Sequence, residues 1–449
     1  MAASFSSFGR NVAETRRSLP VPAAVALLRT GNVEPGSLLA YGNGRTYGDS
    51  CQNVGGSVID MRPANRVLSF DAESGLLEAE AGLLLSDIIA HVAPHGWFPA
   101  VLPGTQYVTL GGAIANDVHG KNHHAQGTFG CHVESLFLLR SDGQTYRCSR
   151  TTNATLFSAT VGGMGLTGLI QSARIRLRRI SSPDLLQTVR PFSSLDEYFA
   201  LAEAADDANE YAVAWVDQLA SGAREGRGIL LTANHAHVSP ARPKAERRQF
   251  SIPFRPPFTV LNRPFLKLFN AAYYRGKVRV GDIHLTQWRS FFFPLDGIRH
   301  WNRLYGPGGL YQHQSVLPPE AAQIGVKAML AVSREAGEGS FLTVLKRFGA
   351  TRSPGILSFP RQGYTLTLDF PNRGGRTLAL LRELDRIAIA SGGAVNPYKD
   401  ARMDEHVFQA SFPNWRALES LRDPAFLSDF WRRTALKLKG TEEYAHAAE

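Results

Sequence analysis

A glycine-rich loop at residues 41–49 has the composition of a phosphate-binding site. Its sequence, YGNGRTYGD, contains three glycines, and Arg45 adds a positive charge. Glycine permits positive φ and a close approach of the backbone to a ligand, and successive N–H groups in such a loop form an anion-binding concavity. A strand, not a helix, is predicted to follow at residues 57–60. The loop would therefore bind phosphate through its amides, and a plain tight turn is the alternative.

A second segment, residues 102–121, combines ligand-contacting residue types with two groups that handle protons or charge. Its sequence is LPGTQYVTLGGAIANDVHGK. The Pro-Gly pair predicts a turn, the threonines supply hydroxyls, and the Gly-Gly pair permits close packing against a flat ligand. His119 and Lys121 end the segment with side chains that exchange protons and bind negative charge. A structural histidine with satisfied hydrogen bonds is the alternative for His119.

A third glycine cluster, GMGLTG at residues 163–168, has the spacing of a dinucleotide-binding fingerprint. That fingerprint must follow a strand and open a helix. Residues 170–180 instead alternate apolar and basic side chains, which predicts a half-buried strand with a basic outer face. The cluster therefore lacks the required context, and we expect no Rossmann-type site there.

Length, charge and cysteine usage bound the class of protein. The chain has 449 residues, a net charge of +10 and three cysteines. The length exceeds what one core supports, so two or more domains are expected. The positive charge suits an anionic cofactor, a phosphorylated substrate, nucleic acid or a membrane. Few cysteines without a CxxC pair indicate a reducing compartment and no zinc site, and the absence of an apparent signal peptide or membrane span favours a cytoplasmic protein.

A Ser-Pro cluster at residues 180–183 predicts a boundary between two folded units. Before it, we predict strands at residues 57–60, 76–80, 135–139 and 170–180, and a helix at residues 87–93 capped by Ser86. After it, we predict an α+β unit with helices at residues 195–205 and 377–390 and strands at residues 211–216, 228–232 and 365–370.

Residues 240–279 are rich in proline, arginine, lysine and aromatic residues. Basic and aromatic segments favour anionic membrane interfaces, so one interpretation is a mobile flap that touches a membrane. The alternative is a long loop packed on its own domain. The sequence alone does not distinguish these two interpretations.

The order of these motifs resembles the vanillyl-alcohol-oxidase class of FAD-binding domains. The signature runs from the glycine–arginine loop through PGTxxxTxGGxIA to GGxGLTG. Within that class, DVHGKNHH at residues 117–124 resembles the family of flavoprotein subunits of decaprenylphosphoryl-β-D-ribose 2-epimerase. Further matching segments follow in order: YRGK at 274–277, WNRLYGPGG at 301–309, QHQ at 312–314, KRFG at 346–349, LSFP at 357–360, DFP at 369–371 and KDAR at 399–402.

The resemblance implies an α+β fold in which FAD lies between two lobes of a PCMH-type domain at residues 1–181. A substrate-binding domain at residues 182–393 would cover the flavin ring, and residues 394–449 would return to the FAD-binding domain. Many relatives attach the flavin covalently to a histidine in the glycine loop. Arg45 occupies that position here, so the resemblance implies dissociable FAD.

The resemblance also implies roles for single residues. Lys399 matches the family's essential lysine, which would accept a proton or steady an alkoxide, and His119 and Tyr47 accompany it as catalytic candidates. The residues expected to contact FAD are Gly42, Asn43, Gly44, Arg45, Thr46, Tyr47, Gly48, Pro103, Gly104, Thr105, Thr109, Gly112, Ala115, His119 and Ile170. Those expected to bind substrate are Lys121, Trp215, Tyr305, Gln314, Lys346, Thr367 and Lys399. Without the resemblance, Lys399 would be read as a surface charge and Trp215 as core.

The implied activity is FAD-dependent oxidation of the 2′-hydroxyl of a polyprenylphosphoryl pentose to a 2′-keto sugar. This is the first half of an epimerisation that yields a cell-wall arabinan precursor, and a separate NAD(P)H-dependent short-chain reductase would complete it. A lipid-linked substrate also fits peripheral membrane contact through residues 240–279. Thr367 and Asn396 stand where mycobacterial members carry Cys and Tyr, and Val213 stands where they carry Ser, which places these departures in or near the expected substrate pocket.

Two other functions fit parts of the sequence. A soluble sugar-alcohol or aldonolactone oxidase of the same flavin class would act on free polyols without lipid. A basic protein that binds nucleic acid or a membrane without catalysis would be colourless, with salt-sensitive binding. The glycine loops argue against the second alternative.

Overall fold

The computed structural model describes residues 5–237, 250–279 and 283–440. The N-terminal strands are β1 (Ser18–Pro20), β2 (Leu38–Tyr41), β3 (Ser57–Asp60), β4 (Val67–Asp71), β5 (Leu76–Glu80), β6 (Trp97–Pro99), β7 (Val133–Leu139), β8 (Thr145–Ser149) and β9 (Leu169–Arg179). The helices of this region are α1 (Val21–Arg29), α2 (Leu85–Val92), α3 (Leu110–Ala115), α4 (His123–Gln126) and α5 (Ala154–Thr160).

These strands form two sheets. A small parallel sheet has the order β1-β3-β2, and an antiparallel sheet has the order β4-β5-β9-β7-β8, with β6 paired to β9. Ala173, Ile175 and Leu177 of β9 are buried while Arg174 and Arg176 are exposed. The prediction of a half-buried strand with a basic outer face is therefore confirmed, and so is the absence of a helix directly after the third glycine cluster.

The predicted start of the helix at residues 87–93 was wrong. Helix α2 begins at Leu85, and its N-cap residue is Leu84, without a side-chain cap. The Ser86 hydroxyl instead bonds the neighbouring Asp87 carboxylate at 3.2 Å. The apolar face decides the helix start, because Leu85 is already fully buried with the rest of that face.

The described residues of the following region form ten strands and five helices. The strands are β10 (Leu185–Phe192), β11 (Tyr211–Val216), β12 (Gly228–His235), β13 (Phe250–Ser251), β14 (Ile283–Thr286), β15 (Ile298–Arg299), β16 (Leu310–Leu317), β17 (Val344–Phe348), β18 (Gly363–Pro371) and β19 (Ala394–Val395). The helices are α6 (Leu195–Ala208), α7 (Arg263–Val278), α8 (Trp288–Phe292), α9 (Pro319–Glu335) and α10 (Gly375–Ala390). The predicted strands and helices after residue 183 are confirmed, and the whole is an α+β fold.

One eight-stranded sheet, of order β14-β10-β12-β11-β17-β18-β16-β19, dominates this region. Side chains alternate between its two faces. On β16, His313 bonds Asp385 of α10 at 3.1 Å and Ser315 contacts Met329 of α9. Gln312 and Gln314 therefore point to the opposite face. That face is buried as well, and it presents polar side chains toward the N-terminal region.

Residues Arg263–Val278 of the segment at residues 240–279 form helix α7, so the expectation of a long loop was wrong for that part, while its packing against neighbouring strands agrees with that alternative. Asn262 caps α7 by accepting a hydrogen bond from the Phe265 N–H, and a proline lies in the first turn. The helix packs on β10 and β12. Residues 240–249 lie outside the described residues. No helix within the described part of the chain has the length and apolar composition to span a bilayer.

The C-terminal helices are α11 (Glu405–Ser411), α12 (Trp415–Leu421) and α13 (Asp429–Arg433). This part of the chain lies against the N-terminal region: the Leu38 N–H donates to the Ala425 carbonyl, and the Tyr47 N–H donates to the Tyr398 carbonyl at 3.0 Å. These contacts agree with a returning segment, while the division at residues 181 and 393 stays a prediction.

We predict that Gly48→Ala destabilises the protein, because an added Cβ would lie 1.7 Å from the Asp400 carbonyl oxygen. Overpacking of this kind costs about 1–3 kcal/mol in free energy of unfolding, which thermal and denaturant unfolding will measure. Gly375→Ala is the matched control, because its Cβ meets no atom within 4 Å. Equal stabilities of the two variants would contradict the close approach at Gly48.

Candidate active site

A cavity of about 870 Å³ lies between the N-terminal region and the polar face of the eight-stranded sheet. The glycine loop, the residues after β6 and part of β9 line one side. Strands β11, β16, β17 and β18 line the other side, together with Asn396, Tyr398 and Lys399. The two glycine-rich segments and the sheet therefore meet at one site.

The glycine loop is shaped for close approach. Gly44 has φ of +57°, and a Cβ there would lie 2.1 Å from the Tyr41 hydroxyl. A Cβ on Gly42 would lie 2.4 Å from Thr109 Oγ1. Thr109 in turn caps α3 by accepting a hydrogen bond from the Gly112 N–H at 3.2 Å. A larger residue at Gly42 would separate the two segments that line this side, and one at Gly44 would displace Tyr41 within the loop.

Several buried polar atoms in the loop or lining the cavity beside it have no hydrogen-bond partner within the described residues: Arg45 Nε, Thr46 Oγ1, Ser50 Oγ and Ser7 Oγ. Burial lowers the pKa of Arg45, and nearby Asp296 opposes that shift. The Arg45 guanidinium also lies 5.4 Å from the centre of the Tyr107 ring. Unpartnered buried donors beside a cationic group are costly without a ligand, and an anionic pyrophosphate satisfies both. These residues therefore fit the phosphates of FAD.

Nearly all the residues expected to contact FAD line the cavity. They are Gly42, Asn43, Gly44, Arg45, Thr46, Tyr47, Pro103, Gly104, Thr105, Thr109, Gly112, Ala115, His119 and Ile170. Gly48 does not, because it packs against the backbone of Asp400 and Ala401. Of the expected substrate residues, Tyr305 lies behind the wall in a buried cluster with Tyr47 and Trp301. The rest line the cavity: Lys121, Trp215, Gln314, Lys346, Thr367 and Lys399.

His119 is held between the two sides of the cavity. Its Nε2 lies 3.1 Å from Gln314 Nε2 and its Nδ1 lies 3.1 Å from Lys346 Nζ. Its ring packs edge-on against Phe348, with centroids 4.8 Å apart. Burial, and then the charge of Lys346, hold the pKa of His119 well below its usual range. The imidazole is therefore neutral at physiological pH.

Lys121 is turned toward a different wall. Its ammonium group contacts the Phe291 carbonyl oxygen and lies 4.4 Å from the centre of the Phe291 ring. Burial lowers the pKa of Lys121 to about 7, with Lys346 and Lys277 adding to the shift. An anion in the cavity would favour its charged form.

Lys399 lies in a buried group with Tyr47, Gln312 and Asp369. Its Nζ lies 4.3 Å from the centre of the Tyr47 ring, and Gln312 Nε2 donates to Asp369 Oδ1 at 2.5 Å. Burial lowers the pKa of Lys399 while the charge of Asp369 raises it, and burial raises the pKa of Asp369. Burial also raises the pKa of Tyr47, so its phenol stays protonated. Lys399 is thus a lysine that can lose its proton within the cavity wall.

Sequence reasoning missed three polar residues of this site, Gln312, Thr365 and Asp369, and it named Asn396 only as a departure from the mycobacterial members. Gln312 and Asp369 lay in segments that matched the family, but neither was assigned a role. The signal was available as polar residues at every second position of β16 and β18. Each strand reads as a buried core strand because both of its faces are covered, so this alternation was not recognised.

Comparison with known proteins agrees with this site. Residues 21–149 match a family described as an FAD binding domain. The chain is 36% identical over 421 residues to decaprenylphosphoryl-β-D-ribose oxidase of Mycolicibacterium smegmatis, which covers 89% of each protein. The chain belongs to this oxidase family. It is also 37% identical over 369 residues to an uncharacterised protein of Streptomyces coelicolor, covering 77% of this chain and 98% of that protein.

A more distant similarity connects the chain to other flavin enzymes. It is 34% identical over 144 residues to L-gulonolactone oxidase of Mus musculus, which covers 32% of this chain and 31% of that protein. The protein is therefore an FAD-dependent oxidoreductase of the vanillyl-alcohol-oxidase class, with FAD as its cofactor.

We predict that Arg45→Met weakens FAD binding about 10- to 100-fold, because a charge-assisted hydrogen bond contributes about 1.5–3 kcal/mol. Titration of flavin-stripped protein with FAD will measure the dissociation constant, and acid precipitation should release the flavin from the unaltered protein. Arg66→Met is the control, because this substitution removes the same charge and Arg66 pairs with Glu80 at the surface. Equal affinities for the two variants would contradict a cofactor role for Arg45.

Proposed function

We propose that the protein oxidises the 2′-hydroxyl of a polyprenylphosphoryl pentose, similar to decaprenylphosphoryl-β-D-ribose, to a 2′-keto sugar. The observation that carries the proposal is the buried Lys399 beside Asp369 in the cavity wall. It occurs in a chain 36% identical to an oxidase named for such a substrate. The reaction is the first half of an epimerisation at that carbon, toward an arabinan precursor of the cell wall.

Bound FAD supplies the acceptor for the hydride that leaves the carbinol carbon. Lys399 in its amine form accepts the proton of the substrate hydroxyl. Burial lowers the pKa of Lys399, so the amine becomes populated at a lower pH than for an exposed lysine. Proton transfer therefore quickens as pH rises through that lowered pKa. The carboxyl of Asp369 faces the ammonium that results.

The polar face of the sheet orients the sugar. Gln314, Thr367 and Lys346 line the cavity on neighbouring strands, with His119 between them and the flavin side. Amide, hydroxyl and amine groups at these positions suit the ring hydroxyls of a pentose. Lys121 binds the phosphate of the substrate, because a phosphate favours the charged form of this buried lysine more strongly than the Phe291 carbonyl and ring do. Tyr47 keeps its proton and holds Lys399 over its ring.

Helix α7 connects the cavity to the surface. Tyr273 lines the cavity and its ring lies 4.9 Å from that of Trp215. On the outer side of the same helix, Leu268 is 72% exposed, beside the exposed basic residues Lys267 and Arg275. Phe254 and Phe258, just before the helix, are also exposed. Apolar side chains next to basic ones suit the surface of an anionic membrane, from which a lipid-linked sugar would enter.

We further propose a separate partner for the second half-reaction. An NAD(P)H-dependent short-chain reductase would reduce the 2′-keto sugar with inverted configuration. The third glycine cluster is followed directly by strand β9 rather than by a helix, which supports a nicotinamide site on another chain. Peripheral attachment at the cytoplasmic face of the inner membrane fits both partners.

A soluble sugar-alcohol or aldonolactone oxidase is the second candidate. The similarity to L-gulonolactone oxidase supports it, although that similarity covers only 32% of this chain. Thr367 and Asn396, where mycobacterial members carry Cys and Tyr, also permit a different sugar. Such an enzyme would act on free polyols or lactones without lipid.

The test is anaerobic addition of a polyprenylphosphoryl ribose to the purified flavoprotein, followed by its absorption spectrum. We expect the flavin absorbance to bleach with this substrate and not with free ribose, polyols or lactones. Bleaching by polyols or lactones alone would support the second candidate. A protein without flavin after incubation with FAD would contradict the whole assignment.

Lys399→Met is the matched variant for this test. It should bind FAD as the unaltered protein does, yet bleach about 10²- to 10⁴-fold more slowly, because general-base catalysis contributes that much. In the unaltered protein the rate should rise with pH through the lowered pKa of Lys399, and this rise should vanish in the variant. An unchanged rate would contradict the role of Lys399.

The membrane proposal predicts binding to vesicles that contain phosphatidylglycerol, and weaker binding to vesicles of phosphatidylcholine alone. Leu268→Glu should reduce cosedimentation with anionic vesicles about tenfold or more, because burial of a leucine contributes about 1.5–3 kcal/mol. Ile324→Glu is the control, since Ile324 is 76% exposed on α9, away from this surface. Equal losses in the two variants would contradict docking through α7.

A further inference from the structure

Side chains along one wall of the cavity form a continuous chain of hydrogen bonds. Asn396 Nδ2 lies 2.9 Å from Gln314 Oε1. Gln314 Nε2 lies 3.1 Å from His119 Nε2, and His119 Nδ1 lies 3.1 Å from Lys346 Nζ. Asn396 and Gln314 are each 2% exposed, so bulk water does not compete for these bonds.

A backbone group sets the direction of this chain at one end. The Tyr398 N–H donates to Asn396 Oδ1 at 2.9 Å, and a backbone N–H can only donate. Asn396 therefore turns its amide nitrogen toward Gln314, which must accept through its oxygen. The two hydrogens of the Gln314 amide are then committed, one to His119 Nε2 and one to Thr365 Oγ1 at 3.0 Å.

The orientation of Gln314 decides the tautomer of His119. Because His119 Nε2 accepts a hydrogen bond, the ring proton of the neutral imidazole lies on Nδ1. That proton points at Lys346 Nζ. An ammonium group has no lone pair to accept it, so Lys346 is a free amine in this arrangement. The amine also donates to the Gly120 carbonyl at 3.4 Å.

We infer that Asn396 is a positioning residue that keeps the His119 proton on Nδ1 and Lys346 as an unprotonated acceptor. The one lone pair of the Lys346 amine then faces His119 Nδ1, and Lys399 is the amine left to accept a proton from substrate. This role rests on the proposed function, because it assigns the protonation states of His119 and Lys346 on the side of the cavity where the sugar is proposed to bind. It rests on hydrogen bonds that form without substrate.

The groups that face Lys346 favour the same state. Burial, and then the charge of Lys399, lower the pKa of Lys346 to about 7. Lys121, His123 and His119 face it as well, since a charge on Lys346 lowers the pKa of each of them. A proton on Lys346 would therefore add positive charge among groups that are themselves cationic or neutral.

A fall in pH would disturb the chain of hydrogen bonds at its Lys346 end. A protonated Lys346 must donate to His119 Nδ1, which moves the ring proton to Nε2. The Gln314 amide then presents a hydrogen to a hydrogen, and it must rotate to relieve the contact. Rotation breaks its bonds to Asn396 and Thr365, each of which contributes to stability. Asn396 therefore opposes protonation of Lys346, although Gln314 and His119 lie between these two residues in the chain of hydrogen bonds.

The experiment is a long-range ¹H–¹⁵N correlation spectrum of the whole flavin-loaded protein with ¹⁵N-labelled histidine. At about pH 8, above the pKa of about 7 of Lys346, we expect a protonated Nδ1 and an unprotonated Nε2 for His119. Loss of these signals in His119→Gln assigns them. A proton on Nε2, or on both nitrogens, would overturn the inference. The readout needs no substrate, so it is independent of whether the proposed sugar is correct.

Asn396→Leu tests the role of Asn396 itself. The side chain has similar size but no amide, so Gln314 is free to rotate and His119 should show both tautomers. Asn302→Leu is the control: Asn302 is buried at the cavity and bonds the Phe8 carbonyl, outside this chain, and the His119 tautomer should not change. A single unchanged tautomer in Asn396→Leu would overturn the positioning role. Asn396→Ser provides the same test if the leucine variant does not fold, and the unaltered protein tests the tautomer without any variant.

Discussion

The site depends on the ion pairs that Arg433 makes with Asp49 and Asp400. The guanidinium of α13 lies 2.7 Å from the first carboxylate and 2.6 Å from the second. Although burial opposes the charge, these two carboxylates raise the pKa of Arg433. Asp49 ends the glycine loop and Asp400 follows Lys399, so one cation joins the glycine loop to the segment that carries the proposed proton acceptor. Loss of Arg433 would leave the buried Asp49 carboxylate without its ion-pair partner, and removal of one member of a buried pair typically costs about 3–5 kcal/mol.

The second constraint is a sheet that is buried on both faces but apolar on only one. On β18, Leu366, Leu368 and Phe370 enter the core under the helices, while Thr365, Thr367 and Asp369 face the cavity side. Because successive side chains of a strand point to opposite faces, the polar side chains are held at a fixed spacing on the same face of the sheet. The substrate side therefore needs no loop of its own to position its groups, and a rigid sheet supports them.

Much of this could be predicted from sequence, because the signals were local. Alternation identified β9, and the context of the third glycine cluster excluded a Rossmann site. Lys399 and His119 were assigned by resemblance, and both line the cavity. What could not be predicted depends on packing between distant segments. Gly48 allows the backbone of Asp400 to approach the glycine loop closely, and Tyr305 belongs to the buried cluster behind the cavity wall that contains Tyr47. The chain of bonds from Asn396 to Lys346 joins four separate elements, which no sequence window contains.

The ion pairs of Arg433 also affect the order in which parts of the protein fold during synthesis. Asp49 and Arg433 are 384 residues apart in sequence, so the ion pair that holds the glycine loop cannot form until the residues between them have been synthesised. N-terminal units generally fold first during synthesis, and here the first sheets would form around an unfinished pocket. The site for the flavin is therefore completed only after Arg433 has been synthesised. A shortened product that lacks α13 would also lack both ion pairs that join Asp49 to Asp400.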